Sequence, residues 1–185
     1  MSSSIPPAPQ TPLAHAKRPR SILAGPYGHP FHPILITIPI GTWSASLIFD
    51  IIGFFAEDPT AFTIGAQVLI LIGLLGAAAA IVTGLMDYSV IAAGTAARRT
   101  ALIHAVLNIT VTLLFVVNLA IRWFGDHDEV NVLAFVLSVV AIGALGLSGY
   151  LGGKLAYHYG IRVADETTQA EGFVRPLEAD QSTRR

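Results

Sequence analysis

The sequence predicts an all-α integral membrane protein, an up-down bundle of four spanning helices with polar tails. Two observations carry this. Hydrophobic residues make up 53% of the 185 and charged residues only 12%, with a mean hydropathy of +0.63, whereas an ordinary soluble domain carries about a quarter charged residues. The apolar residues also fall into four runs, 34–55, 62–86, 101–121 and 130–151, each near the ~20 residues a spanning helix needs. No run alternates with period two, as barrel strands would. Helices satisfy their own backbone groups in lipid, so the runs read as helices.

Each element follows in order. Residues 1–27 read as a disordered tail, with repeated Pro in IPPAPQTP and few apolar side chains. No cleavable signal stands out in the first 20 residues, so the first span is expected to direct insertion itself. The membrane domain is expected over 28–163 and a second polar tail, with room for a weak helix, over 164–185. The connections after the first and third spans, AEDPTA and GDHDE, are short and lack Lys and Arg, which favours antiparallel neighbours. The middle connection, Asp87–Thr100, is longer; it reads as a short surface helix or as an extension of the second span.

Positive charge marks one side. Lys17, Arg18 and Arg20 precede the first span, Arg98 and Arg99 follow the second, and Lys154 and Arg162 follow the fourth. By the positive-inside rule both termini are expected in the cytoplasm. Arg122 is the exception; it either snorkels to the outer interface or pairs with Asp50 near the end of the first span. The chain has no cysteine, which excludes disulfides, thiolate metal sites, iron–sulfur ligation and covalent haem attachment within it. A formal net charge of −1 gives no reason to expect a nucleic-acid partner.

Small residues recur every fourth position on two spans, as Gly76, Ala80 and Gly84 and as Ala144, Ser148 and Gly152. Such stripes let helices approach closely, and would equally accommodate a flat cofactor.

The inner side gathers the chemistry: His29, His32, Asp87, His104, His158 and all five tyrosines, Tyr27, Tyr88, Tyr150, Tyr157 and Tyr159. In GHPFHP each Pro pushes the preceding His towards an extended backbone. In polyproline geometry residues three apart share a face ~9 Å apart, so His29 and His32 are expected to point the same way. Pro33 suits a first helical position, with His32 at or near the cap. His104 lies within an apolar run with Asn108 one turn on; ionisable groups at that depth usually face the bundle interior. Asp87 either orients a histidine or pairs with Arg98, Arg99 or Lys154. His127 reads as part of a solvated turn, and His15 as part of the tail.

Three functional readings share these residues. A non-covalent b-type haem would use His32 and His104 as axial ligands beside Asn108. A transition-metal site or transporter would use His29, His32, His104 and Asp87, although transport sites usually lie at the midplane. A non-catalytic scaffold or complex subunit would use the same polar layer to hold the bundle or dock a partner. Hydrolysis has no motif here: GxSxG, Walker and HExxH elements are missing from the sequence.

HPFHPILITIPIG, GLMDYSVI, the Arg-containing stretch before ALIHAVLN, and GYLGGKLAYHYG together resemble the bacterial four-helix membrane proteins of the domain of unknown function 2231 family. The resemblance covers roughly 28–163 and implies a bacterial inner membrane as the location. It implies roles for His29, Pro30, His32, Pro33 and Pro39, for Gly84 and Asp87, for His104 and Asn108, and for Gly149, Gly152, Gly153 and Tyr157. One departure is Tyr159-Gly160 where the family tends to write His-Gly, with His158 displaced by one place. Relatives joined to Rieske-type or cytochrome c-like domains imply a setting near electron transfer, with electron-transfer proteins or other membrane subunits as partners.

Overall fold

A computed structural model describes residues 11–173. The expected tail segments 1–10 and 174–185 lie outside the described residues. The helices are α1 (Pro12–Lys17), α2 (His32–Leu35), α3 (Thr37–Gly53), α4 (Thr60–Ser89), α5 (Ala96–Trp123), α6 (Val132–Gly153) and α7 (Glu166–Ala170). Single 3-10 turns occupy Ile22–Ala24 and Glu171–Phe173, and a π-turn, Lys154–His158, extends α6. The four spans, His32–Gly53, Thr60–Ser89, Ala96–Trp123 and Val132–His158, are each long and apolar enough to cross a membrane.

Local chemistry sets the boundaries. Thr95 caps α5 by accepting from the Arg98 amide, and Asn131 caps α6 by accepting from that of Ala134. The long middle loop does not exist. α4 runs on to Ser89 and α5 starts at Ala96, so an extension of the second span, and not a surface helix, accounts for Asp87–Ser89. The first span is interrupted at Ile36. Pro39 lies four residues after Leu35, whose carbonyl it can neither bond nor easily approach.

α3 packs on α4, α4 on α5 and α5 on α6, and α6 closes against α3. This is the four-helix bundle the sequence predicts. Its centre holds Trp43, Ile70, Ala77, Val111, Phe115 and Ala141. The Trp43 and Phe115 rings stack with centroids 4.1 Å apart and planes 15° apart. Gly73 makes room for the indole, since a Cβ there would lie 2.2 Å from Trp43 Nε1; the indole N–H donates to Ile70 O at 3.3 Å. Large apolar side chains such as Leu75, Leu113 and Leu147 remain exposed around the bundle, as a lipid-facing surface requires.

Residues 11–27 of the expected tail are ordered, and together with residues 28–31 they form one segment. They fold with residues 159–170 into a cap over the end of the bundle at which the described residues begin and end. Ala16, Lys17 and Ala24 are buried. The Arg162 amide donates to Ala16 O at 3.1 Å, and Lys17 Nζ donates to Ala164 O at 3.3 Å. The Tyr27 hydroxyl donates to Asp165 Oδ2 at 2.9 Å and accepts from the Asp165 amide at 2.8 Å. These contacts join segments some 140 residues apart, so periodicity within either segment carries no sign of them.

Candidate functional site: a paired histidine layer

His32 stands at the start of α2 with its ring in a notch of α4. Its Nδ1 lies 2.8 Å from the Ala80 carbonyl oxygen. A carbonyl only accepts, so Nδ1 carries the proton and, in the neutral ring, Nε2 carries the lone pair. Gly84 forms the notch: a Cβ there would lie 2.9 Å from the imidazole. His104 repeats the arrangement between α5 and α6. Its Nδ1 donates to Ser148 O at 2.8 Å, and a Cβ on Gly152 would lie 3.1 Å from its ring. In both cases one residue of a small-residue stripe offers a carbonyl and the glycine four positions on admits the ring.

The two rings meet edge to face, with centroids 6.2 Å apart and planes 83° apart. Asn108 joins them on one side only. Its amide nitrogen reaches His104 Nε2 at 3.1 Å, Ser148 Oγ at 2.7 Å and His104 O at 2.9 Å. Both nitrogens of His104 are thus occupied, whereas His32 Nε2 has no hydrogen-bond partner among the described residues.

The other expected members of this layer go elsewhere. His29 does not share a face with His32. The chain turns there, with Gly25 and Gly28 at positive φ, the Phe31 amide donating to Ala24 O and Phe31 itself helical. The polyproline expectation therefore fails, and His29 is exposed. Asp87 is buried but pairs with none of Arg98, Arg99 and Lys154; Arg162 Nε stands 2.7 Å from its Oδ1. Arg98 is drawn away to the Tyr88 and Ile91 carbonyls and the Tyr88 ring face. His158 is exposed and lies against Tyr159. Among the described residues no three His, Asp or Glu side chains come close enough to hold a metal ion, so the set His29, His32, His104 and Asp87 is not assembled.

Arg162 is the residue sequence reasoning missed. It is 3% exposed and adopts the left-handed conformation, with φ 60°. Its guanidinium reaches Asp87 and donates to Ala24 O and Gly25 O at 2.9 and 3.0 Å. The pair with Asp87 is close but not aligned as a hydrogen bond, and Nη1 lacks a partner among the described residues. A lone arginine between Ile161 and Val163 was the available signal.

A second polar layer lies at the opposite end. Asp50 and Arg122 form a bidentate ion pair with Oδ1–Nη1 at 2.8 Å, and the two residues are 0% and 5% exposed. Arg122 therefore does not snorkel. Its Nε donates to Asn118 Oδ1 at 2.7 Å, and Asn118 Nδ2 donates to Ala134 O and Ser138 Oγ. Nearby, His127 is not merely part of a solvated turn: its Nε2 lies 2.6 Å from Gln67 Oε1, and its carbonyl accepts from Thr63 Oγ1. His15, too, is engaged, with Nδ1 donating to Val90 O at 3.0 Å.

Comparison with protein families places the chain. A profile described as "Predicted membrane protein (DUF2231)" matches residues 28–165. The chain belongs to the DUF2231 family. No curated protein and no solved structure matches it. The DUF2231 match takes in both histidine notches and Arg162, but it begins after Lys17 and Ala24 of the cap.

The notches test whether this DUF2231 bundle suits a b-type haem. Gly84 and Gly152 would have to border a flat slot; instead the imidazoles fill the space beside them. His104 Nε2, the nitrogen an axial bond would need, already accepts from Asn108. The residues as arranged do not fit a porphyrin; they fit imidazole-to-carbonyl bonds between helices.

Proposed function

We propose that this DUF2231 protein is a non-catalytic multi-pass membrane subunit whose inner histidine layer joins helices into one rigid unit that other membrane components assemble on. The observation that carries this reading is the repeated notch. His32 ties α2 to α4 and His104 ties α5 to α6 through the same bond to a backbone carbonyl, the kind of polar contact that holds helices together in lipid. Orientation belongs to the same proposal. Lys17, Arg18, Arg20, Arg98, Arg99, Lys154 and Arg162 gather at the end that carries both termini, and Arg122 at the other end is neutralised by Asp50. Both termini then face the cytoplasm of a bacterial inner membrane.

A redox role, with haem b on His32 and His104, is the second reading. The unbonded Nε2 of His32 is the one observation in its favour; the reading requires His104 to give up its bond to Asn108 and both imidazoles to leave their notches. A transition metal on the same nitrogen is the remaining variant of that reading. A visible spectrum of the purified protein, oxidised and then dithionite-reduced, with elemental analysis of the same sample, separates the readings. The subunit reading expects a colourless, metal-free protein. A Soret band that shifts on reduction and is lost in His32→Ala would overturn it in favour of haem; stoichiometric metal without that band would overturn it in favour of a metal site.

A further inference from the structure

The capped end holds a cleft of about 310 Å³ lined by His15, Arg18, Pro19, Arg20, Ser89 and Val90. From this cleft we infer a binding site for the phosphate of an anionic phospholipid headgroup, with Arg18 and Arg20 as its cationic arms. The inference is independent of the role of the histidine layer.

Depth is the first argument. α4 is 30 residues long, or about 45 Å, against a hydrocarbon core of about 30 Å. Centred and untilted, its last residue, Ser89, stands about 7 Å beyond the hydrocarbon edge, among the headgroups. The cleft opens beside that residue.

Charge is the second. No lining residue is acidic. The ion pairs among the described residues are Lys17–Glu166, Arg122–Asp50 and Arg162–Asp87, and neither Arg18 nor Arg20 meets a carboxylate among those residues. Three carbonyls at or just beyond the end of α4, which would repel an anion, are already engaged: Tyr88 O and Ile91 O by Arg98, and Val90 O by His15. The Arg18 guanidinium lies 5.8 Å over the Tyr27 ring, a contact that leaves its N–H donors available.

Preorganisation is the third. Arg18 ends α1 in an extended conformation, φ −92° and ψ 145°, as the following Pro19 requires, and both arginines line the cleft. α1 is itself held by the His15–Val90 bond and by the Arg162 amide on Ala16 O. Arginine is suited to phosphate because its planar fork presents paired donors.

The test is lipid retention by native mass spectrometry of the full-length protein released from nanodiscs of equal phosphatidylglycerol and phosphatidylcholine. The wild type is expected to retain phosphatidylglycerol preferentially. Arg18→Ala/Arg20→Ala is expected to weaken that retention by on the order of tenfold or more, and Arg18→Lys/Arg20→Lys to recover part of it. The control, Arg99→Ala/Lys154→Ala, removes two cations from the same end outside the cleft and is expected to leave retention unchanged. Equal retention by wild type and the Ala double variant, or equal loss in the control, overturns the site. Displacement of the lipid by millimolar inorganic phosphate overturns the lipid assignment in favour of a soluble phosphate ligand. Matching unfolding temperatures in detergent ensure that a loss reports the cleft and not the fold.

Discussion

The two polar layers of this bundle use similar residue types to opposite effect. At the end away from the termini, Asp50, Arg122, Asn118 and Ser138 form a closed chain in which each charged group meets a geometric partner. At the capped end, His32 Nε2 is unbonded, Arg162 Nη1 is unpartnered, and Asp87 holds Arg162 without aligned geometry. A closed network in low dielectric rigidifies the fold and offers a ligand nothing. An incompletely satisfied one retains donors and lone pairs for something else. Among the described residues these unsatisfied donors and lone pairs lie at the capped end, although the bidentate ion pair is at the other.

Breaking each layer should show the contrast, and the largest effect is expected away from the termini. Arg122→Ala leaves Asp50 as an uncompensated buried charge and should cost about 3–5 kcal/mol. Asp50→Leu/Arg122→Met should recover most of that loss. Reversible unfolding in mixed micelles measures both, and an Arg122→Ala protein as stable as wild type would mean the pair contributes only specificity.

At the capped end Arg162→Ala should act locally. It removes the contacts to Asp87, Ala24 and Gly25 and should free residues 11–31 while the four spans stay folded. Limited proteolysis should then cut the N-terminal segment many times faster, with little change in the global transition. If the whole bundle unfolds instead, the cap and the spans form one cooperative unit.

The histidine bonds should contribute less. His104→Ala and His32→Ala are each expected to lower stability by about 1–2 kcal/mol, with His104 the larger because it also loses Asn108. Gly84→Ala tests the same notch from the other side, since its Cβ would press on the His32 ring at 2.9 Å. Equal stability in all three variants would refute the notch as a structural joint.

The smallest effect is that of pH on the cap. The Thr168 amide, and then the Tyr27 hydroxyl, hydrogen-bond the Asp165 carboxylate and hold its pKa below the usual range. A depressed carboxyl stabilises the fold above its unfolded pKa of about 3.9, and that contribution fades as pH falls through the lower folded value. The extra protease sensitivity that Asp165→Asn gives the N-terminal segment should therefore hold between pH 8 and 5 and vanish only below about 4; a difference that vanishes near pH 6 would place the sensitive group elsewhere.

Composition and run length by themselves determined four apolar helices, and alternating loop charge determined which ends share a side. The Asp50–Arg122 pair, the proximity of His32 to His104 and that of His104 to Asn108 were legible too, because run position and helical spacing place them at matching depths. Tertiary structure alone decided the rest. Arg162 reaches Asp87, Ala24 and Gly25 across 75 to 138 positions of sequence, a distance no local period spans. Residues 11–27 of the cap read as tail because their order comes from contacts with residues 159–170 rather than from their own pattern. The glycine stripes, equally suited in sequence to a flat cofactor or to close helices, resolved into two imidazole notches, because only three-dimensional packing shows which group fills the space a missing Cβ leaves.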